Sequence, residues 1–226
     1  MKFDLHIHSS YSYDCISKPL DIIRVAKAKG LNGIAITDHN TIAGALEVKK
    51  ANNDPDFYIV VGTEIATDQG DIIGLFLERE IVSREAIAVI AEIKSQGGLA
   101  ILPHPCRGRR LKEETVPSFD FVEIKNAHNY LNQDERAEIL AKKYGKPVVA
   151  GSDAHYLSEI GCGVTTIEGS DLRQALEGNK VSLECKNIPH YKVDFGYALS
   201  YWRRKMFKMF VKYLWRAFSG FIWRKK

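Results

Sequence analysis

His6 and His8 lie two residues apart near the start of the chain. On a β-strand, side chains at i and i+2 share a face. Two imidazoles side by side at a strand end are a ready chelate for a divalent metal. Asp14, on the Ser/Tyr-rich turn that follows, can add an oxygen. Taken alone, the pair is explained as well by two half-buried strand histidines. The rest of the chain changes that weighing. His39, Glu64, Asp71, His104, Asp153 and His155 recur at the ends of expected strands. With the first three they make nine candidate ligands, too many for one closed tetrahedral site. A mixed nitrogen and oxygen set of this size suits two or three divalent ions, with Glu64 a natural bridge. Zinc, manganese or iron fits; magnesium and calcium fit poorly with so many imidazoles. Two metals can clamp both oxygens of a transferring phosphoryl group. No Ser or Cys stands in a nucleophile elbow, so the expected nucleophile is metal-activated water.

The elements that must carry these residues alternate. Phe3 to Ile7, Gly33 to Thr37, Phe57 to Val61, Asp71 to Leu77, Leu99 to Leu102, Phe119 to Ile124 and Pro147 to Ala150 read as strands. Helices between them are expected to begin at Ser17, Ile42, Ser83 and the box-like pair Asn132 and Glu135. A short strand near Val164, a helix from Ser170 and a strand near Val181 end the body. There is no G-x-G-x-x-G, no Walker loop and no fixed-period repeat. An open sheet concentrates its site at one switch point, whereas a barrel gathers every strand end around one mouth. The expected fold is therefore α/β: an irregular, distorted barrel of about seven parallel strands. Its metal site lies at the C-terminal strand ends, and a C-terminal amphipathic helix follows. Residues 1–190 would form the barrel and 191–226 a basic tail.

At 226 residues the chain suffices for one sizeable core. It has no apolar run of membrane-spanning length and no leader-like opening. Four cysteines without CxxC spacing suit a reducing cytoplasm, with peripheral membrane attachment left open. The net charge is +4, but nine Lys/Arg and no acid fall between Leu199 and Lys226, which leaves the body at −5. On a helical projection Trp202, Met206, Met209, Phe210, Tyr213, Leu214, Ala217, Phe218 and Phe221 make one face. Arg204, Lys205, Lys208, Lys212 and Arg216 make the other, with Arg203 and Trp215 breaking the segregation. Such a helix suits a membrane surface, packing on the barrel or a second subunit, or nucleic acid.

Four motifs carry a resemblance: Asp4-Leu5-His6-Ile7-His8-Ser9 with Asp14, Thr37-Asp38-His39-Asn40, Gly62-Thr63-Glu64 and Gly151-Ser152-Asp153-Ala154-His155. His104-Pro105 adds a fifth. In this order they resemble the polymerase-and-histidinol-phosphatase (PHP) family of metal-dependent phosphoesterases, over roughly residues 3 to 185. The resemblance implies a distorted seven-stranded barrel with a di- or trinuclear site at its mouth. It implies that His6, His8, Glu64 and Asp153 hold one metal and Glu64 and His104 a second. Asp14, His39 and His155 would complete a third. Where many relatives have a histidine opening the fourth strand, this chain has Asp71, still able to ligate. Relatives act on histidinol phosphate, nucleotide phosphates and short oligonucleotides from the 5′ end. A small phosphorylated substrate or a short oligonucleotide is therefore expected. The charge would be stabilised by the metals and Arg107, and the leaving oxygen protonated by His104 or a metal-bound water.

Arg107 alternatively belongs to a surface basic run with Arg109 and Arg110. Asp4 and Asp38 read as supports of the ligands, turned to the opposite face. Asn126 would line the pocket, Cys106 would pack, and His128 and His190 would be ordinary loop histidines. Two other classes compete. One is a non-catalytic barrel recruited by its tail. The other is a C–N hydrolase, in which Lys125 would have to bridge metals.

Overall fold

Gly33 to Ile36 and Leu99 to Leu102 are buried along their whole length, as strands covered on both faces must be. They belong to a computed structural model that describes residues 1–107, 112–130, 132–178 and 180–223. Arg109, Arg110 and the last three cations, Arg224, Lys225 and Lys226, lie outside the described residues. The strands are β1 (Lys2–Ile7), β2 (Gly33–Ile36), β3 (Tyr58–Ala66), β4 (Asp71–Leu75), β5 (Leu99–Leu102), β6 (Phe121–Asn126), β7 (Val148–Gly151), β8 (Gly163–Ile167) and β9 (Val181–Cys185). The helices are α1 (Pro19–Ala28), α2 (Ala43–Ala51), α3 (Ala86–Ser95), α4 (Gln133–Lys143), α5 (Leu172–Glu177), α6 (His190–Arg203) and α7 (Phe207–Trp223).

The strands make one sheet, ordered β7-β6-β5-β4-β3-β2-β1-β8-β9. It nearly closes. His8 N donates to Ala154 O at 2.9 Å and Ala154 N to His6 O at 3.3 Å, joining the end of β1 to the segment after β7. At the opposite end of this seam, β8 runs antiparallel to β1. There Thr165 Oγ1 bonds both Ala150 N and Ala150 O at 2.9 Å. Phe3, Leu5, Ala35, Val60, Ile73 and Ile101 fill the interior, and α5 closes the bottom through Leu172 and Leu176. Ile34, Ile36, Ile72, Leu102 and Val122 face the surrounding helices instead.

Two expectations are corrected. Among the described residues the sheet has nine strands, and β4 is antiparallel to both β3 and β5. Only residues 67–70 join β3 to β4. So short a link makes a hairpin, whereas a parallel return needs a crossover of about a dozen residues or more. As a result the first residue of β4, Asp71, sits at the same end of the barrel as the last residues of its neighbours. Pairing with β4 also carries β3 past Val61, so Glu64 lies within that strand, opposite Ile73.

Helix starts differ as well. Lys18 rather than Ser17 precedes α1, and it makes no side-chain cap. At α3 the cap is Glu85, whose carboxylate accepts from Ile87 N and Ala88 N. Asn132 precedes α4 but its side chain caps nothing.

The tail is not one helix. It reverses at Arg204 to Met206, where Lys205 has φ +57°. Antiparallel α6 and α7 then pack through Tyr191–Phe221, Tyr197–Tyr213 and Trp202–Phe210 ring contacts. The hairpin rests on the barrel, with Arg203 Nη1 donating to Cys15 O at 2.7 Å and the Arg204 guanidinium 4.9 Å from the Tyr13 ring centre. Among the described residues no helix is long and apolar enough to cross a membrane.

One glycine sets the distance between β7 and β1. A Cβ on Gly151 would lie 2.4 Å from His6 Cβ and 2.6 Å from Glu123 Oε1. Gly151→Ala is expected to cost about 1–3 kcal/mol by overpacking and to displace His6. Calorimetric melting together with metal titration would show it; unchanged values in both would contradict the packing.

Candidate metal centre

β1 presents both of its histidines through an irregularity. Its register against β2 shifts between Asp4 and Ile7, so Leu5 and His6, neighbours in sequence, both face inward. Ile7 then points out to the helices and His8 back in. Asp4 is left facing away, where it accepts from Ser152 N at 2.9 Å and Gly161 N at 2.7 Å. Burial pushes its carboxyl up to about 6. Asp38 accepts from Ser9 N and Ser12 Oγ, both at 2.7 Å, and so fixes the loop that carries Asp14. Both aspartates are braces.

All nine candidate ligands converge. Glu64 divides its oxygens: Oε1 lies 3.0 Å from His104 Nε2, while Oε2 lies 3.2–3.6 Å from His39 Nδ1, His8 Nε2 and His6 Nε2. Asp153 Oδ1 lies 3.5 Å from His6 and 3.2 Å from His8. Asp14 Oδ2 lies 3.2 Å from His39 Nε2 and 3.4 Å from His155 Nε2. Glu64, Asp71 and His104 form a further compact group. His104 and Asp153 hold their places with left-handed backbones, φ +28° and +57°, a departure concentrated at functional sites.

The donor chemistry fits metal ions. Glu123 can only accept, so the 3.0 Å contact makes His6 Nδ1 its donor. The Asp153 carbonyl likewise takes the proton of His155 Nδ1 at 2.7 Å. Ser12 Oγ gives its own proton to Asp38, so it accepts from His8 Nδ1 at 3.1 Å. Each ring is thus held by one nitrogen and turns the other inward, the usual support of a ligating histidine. His6 Nε2, His8 Nε2 and Asp14 Oδ1 are buried with no hydrogen-bond partner. Unsatisfied buried polar atoms are costly and call for an explanation such as an ion; three in one cluster of carboxylates point to cations.

The electrostatics agree. Burial works against ionising Glu64, yet His6, His104 and His39 hold its carboxyl well below the usual range. Burial likewise opposes ionisation of Asp153, which Arg107 and His6 overcome, and of Asp14, which His155 and His39 overcome. Burial, with His155 and His39 beside it, pushes the His8 ring down to about 4, leaving it neutral as a ligand must be. Against burial, the neighbouring carboxylates push His6, His39 and His155 up, the last to about 9, so unlike His8 these rings would have to give up a proton to take a cation.

Arg107 lies at the rim, its Nη2 on the Asp153 carboxylate and its Nη1 3.3 Å from Asn126 Oδ1. Asn126 in turn donates to Glu123 at 2.8 Å. Cys106 joins none of the ligand groups among the described residues. The sequence reading passed over three residues. Glu123 is legible afterwards as a lone acid inside the apolar strand Phe121-Val122-Glu123-Ile124. His128, expected to be an ordinary loop histidine, is instead buried, 3.3 Å from Glu159 and stacked 5.5 Å from His155. Tyr197 comes from α6 and lines the cavity, of about 220 Å³, together with Tyr13, Tyr156 and Arg107. His190 stays outside it, on Tyr130 at 3.8 Å.

The family model described as the PHP domain matches residues 4–191. An uncharacterised protein of Methanocaldococcus jannaschii is 43% identical over 148 residues, 57% of this chain and 84% of that one. A two-domain protein of Bacteroides vulgatus, containing a predicted PHP-like metal-dependent phosphoesterase, superposes with a TM-score of 0.66 at 19% identity. That match covers 82% of this chain and 64% of the other. Endonuclease Q, solved with a 27-mer duplex bearing an abasic lesion at its active site, superposes with a TM-score of 0.60 at 17% identity. It is covered over 79% of this chain and 56% of its own. The chain therefore spans less than two thirds of either of these longer proteins, and the likeness to them is one of fold.

Proposed function

The chain belongs to the PHP domain family, and on that footing we propose that it is a metal-dependent phosphoesterase acting on a small phosphate ester. The substrate would be a phosphomonoester, a nucleotide or the 5′ end of a short oligonucleotide. The observation that carries this reading is the convergence of unpartnered His6 Nε2, His8 Nε2 and Asp14 Oδ1 among carboxylates, with a guanidinium at the rim. His6, His8, Glu64 and Asp153 would hold one ion, Glu64, Asp71 and His104 a second, and Asp14, His39 and His155 a third. Zinc, manganese or iron suits such a set. Divalent ions bound there supply Lewis acidity toward phosphoryl oxygens and lower the pKa of water toward 7.

The chain's own groups do the rest. Arg107 swings its planar fork from Asp153 onto the phosphoryl oxygens, where charge builds. His104 aims Nε2 at Glu64, which suits a ligand better than a proton donor. The cavity of about 220 Å³ is small beside ordinary ligand pockets of about 300–1,000 Å³. It fits a phosphate and a modest leaving group better than a duplex. Lys125 pairs with Asp134 at 3.7 Å, so C–N hydrolysis lacks its bridging lysine. The intact ligand set disfavours an inert scaffold.

The test is hydrolysis of p-nitrophenyl phosphate and nucleotides by protein stripped with chelator and then given manganese. Phosphate release that chelator abolishes and manganese restores is expected. Fully metallated protein that releases none would reject the reading.

A further inference from the structure

α7 carries two apolar faces, and only one is covered. Phe210, Tyr213 and Ala217 pack toward α6. Phe207, Val211, Trp215 and Phe218 fall within about 80° of one another on the other side, at 100° per residue. Their exposures are 60%, 60%, 70% and 64%, and among the described residues the one ring contact they make is Phe207 edge-on to Trp202 at 5.2 Å. A row of four large apolar side chains left in water on a single helix marks a contact surface. Lys208 and Lys212 run along one flank of the row, and both are exposed.

Charge selects among the candidate partners. From Leu199 onward the chain has nine cations and no acid, on a body of net −5. Arg203, Arg204 and Arg216 are engaged with Cys15 O, the Tyr13 ring and Asp194. Lys208 and Lys212 are exposed beside the aromatic row, Lys212 with its ammonium 5.7 Å from the Tyr213 ring centre, and Lys205 is exposed in the turn before it. Two copies meeting row to row would bring their lysines together without a counter-charge, which disfavours a symmetric dimer. Single-stranded nucleic acid needs a cationic groove tracking the backbone, and here the cations lie to one side of an apolar ridge that includes Val211. Aromatic and aliphatic side chains flanked by lysine are what an anionic bilayer surface takes up: the rings enter the headgroup boundary while the ammonium groups stay at the phosphates. The body, net −5, is on balance repelled by the same surface, whereas the tail is attracted to it.

We propose that the outward face of α7, Phe207–Val211–Trp215–Phe218 with Lys208 and Lys212, docks the protein on anionic lipid membranes. Lipid binding of this kind stands whether or not the barrel cleaves phosphate esters.

The experiment is co-sedimentation of the full chain with phosphatidylcholine vesicles, with and without phosphatidylglycerol, across salt concentrations. Binding is expected only with phosphatidylglycerol and is expected to weaken as salt rises. Trp215→Ser with Phe218→Ser, and separately Lys208→Glu with Lys212→Glu, should each weaken it by about tenfold or more at an unchanged melting temperature. No sedimentation, or equal sedimentation on both vesicle types, overturns the proposal. So does a concentration-dependent dimer that the Trp215/Phe218 variant abolishes, which would make the ridge an interface between copies. Oligonucleotide binding lost in the same variants, without vesicle binding, would assign the face to nucleic acid instead.

Discussion

Asp153→Ala is expected to yield a folded protein that has lost more than ~10²-fold in kcat/KM for phosphate esters. Altering the outer partners of a metal ligand already costs about 10–100-fold, and Asp153 lies a layer further in. Its Oδ1 faces His6 and His8 while Oδ2 holds Arg107, so one truncation removes a ligand and a positioning contact together. The fold should survive, because strand β7 ends at Gly151 and the seam to β1 is made by Ala154 backbone atoms. Circular dichroism and metal content of the purified variant read the two consequences separately. Wild-type turnover by a variant that binds less metal would detach Asp153 from the chemistry.

Arg107→Ala is expected to lower kcat/KM by about 10²-fold, the scale of removing one donor aimed at developing charge. Arg107→Lys should recover only part of that, since a lysine cannot fork onto two oxygens. The competing role is structural. Arg107 also neutralises Asp153 and pushes that carboxyl down, and if that were all it did, truncation would leave kcat/KM within about twofold and change metal affinity instead. Measuring both parameters on the same two variants separates the roles.

Much of this site could be read from the sequence because its parts are local. His-x-His on a strand, and Asp or His straight after short apolar runs, are visible in windows of a few residues. The structure gathers all nine positions around one centre. What sequence could not supply was geometry set by distant partners. Asp71 reaches the mouth because a four-residue link forces β4 to run backward, and the expected all-parallel barrel missed that reversal. The bulge that turns both Leu5 and His6 inward depends on register against β2. His128 looked ordinary because its partner Glu159 lies 31 residues away. The tail's helical period was legible, yet the reversal at Lys205 and the placement of Tyr197 in the cavity wall were not. A helical projection shows which residues share a face; it does not show which face finds a partner.

The most direct test of the central claim is elemental analysis of the protein after chelation, reconstitution with manganese or zinc, and removal of free metal. Two or three ions per chain are expected, falling in His8→Ala while the fold persists. No retained metal in the folded wild-type protein would contradict it, and would leave the buried, unpartnered imidazole nitrogens of His6 and His8 without a function.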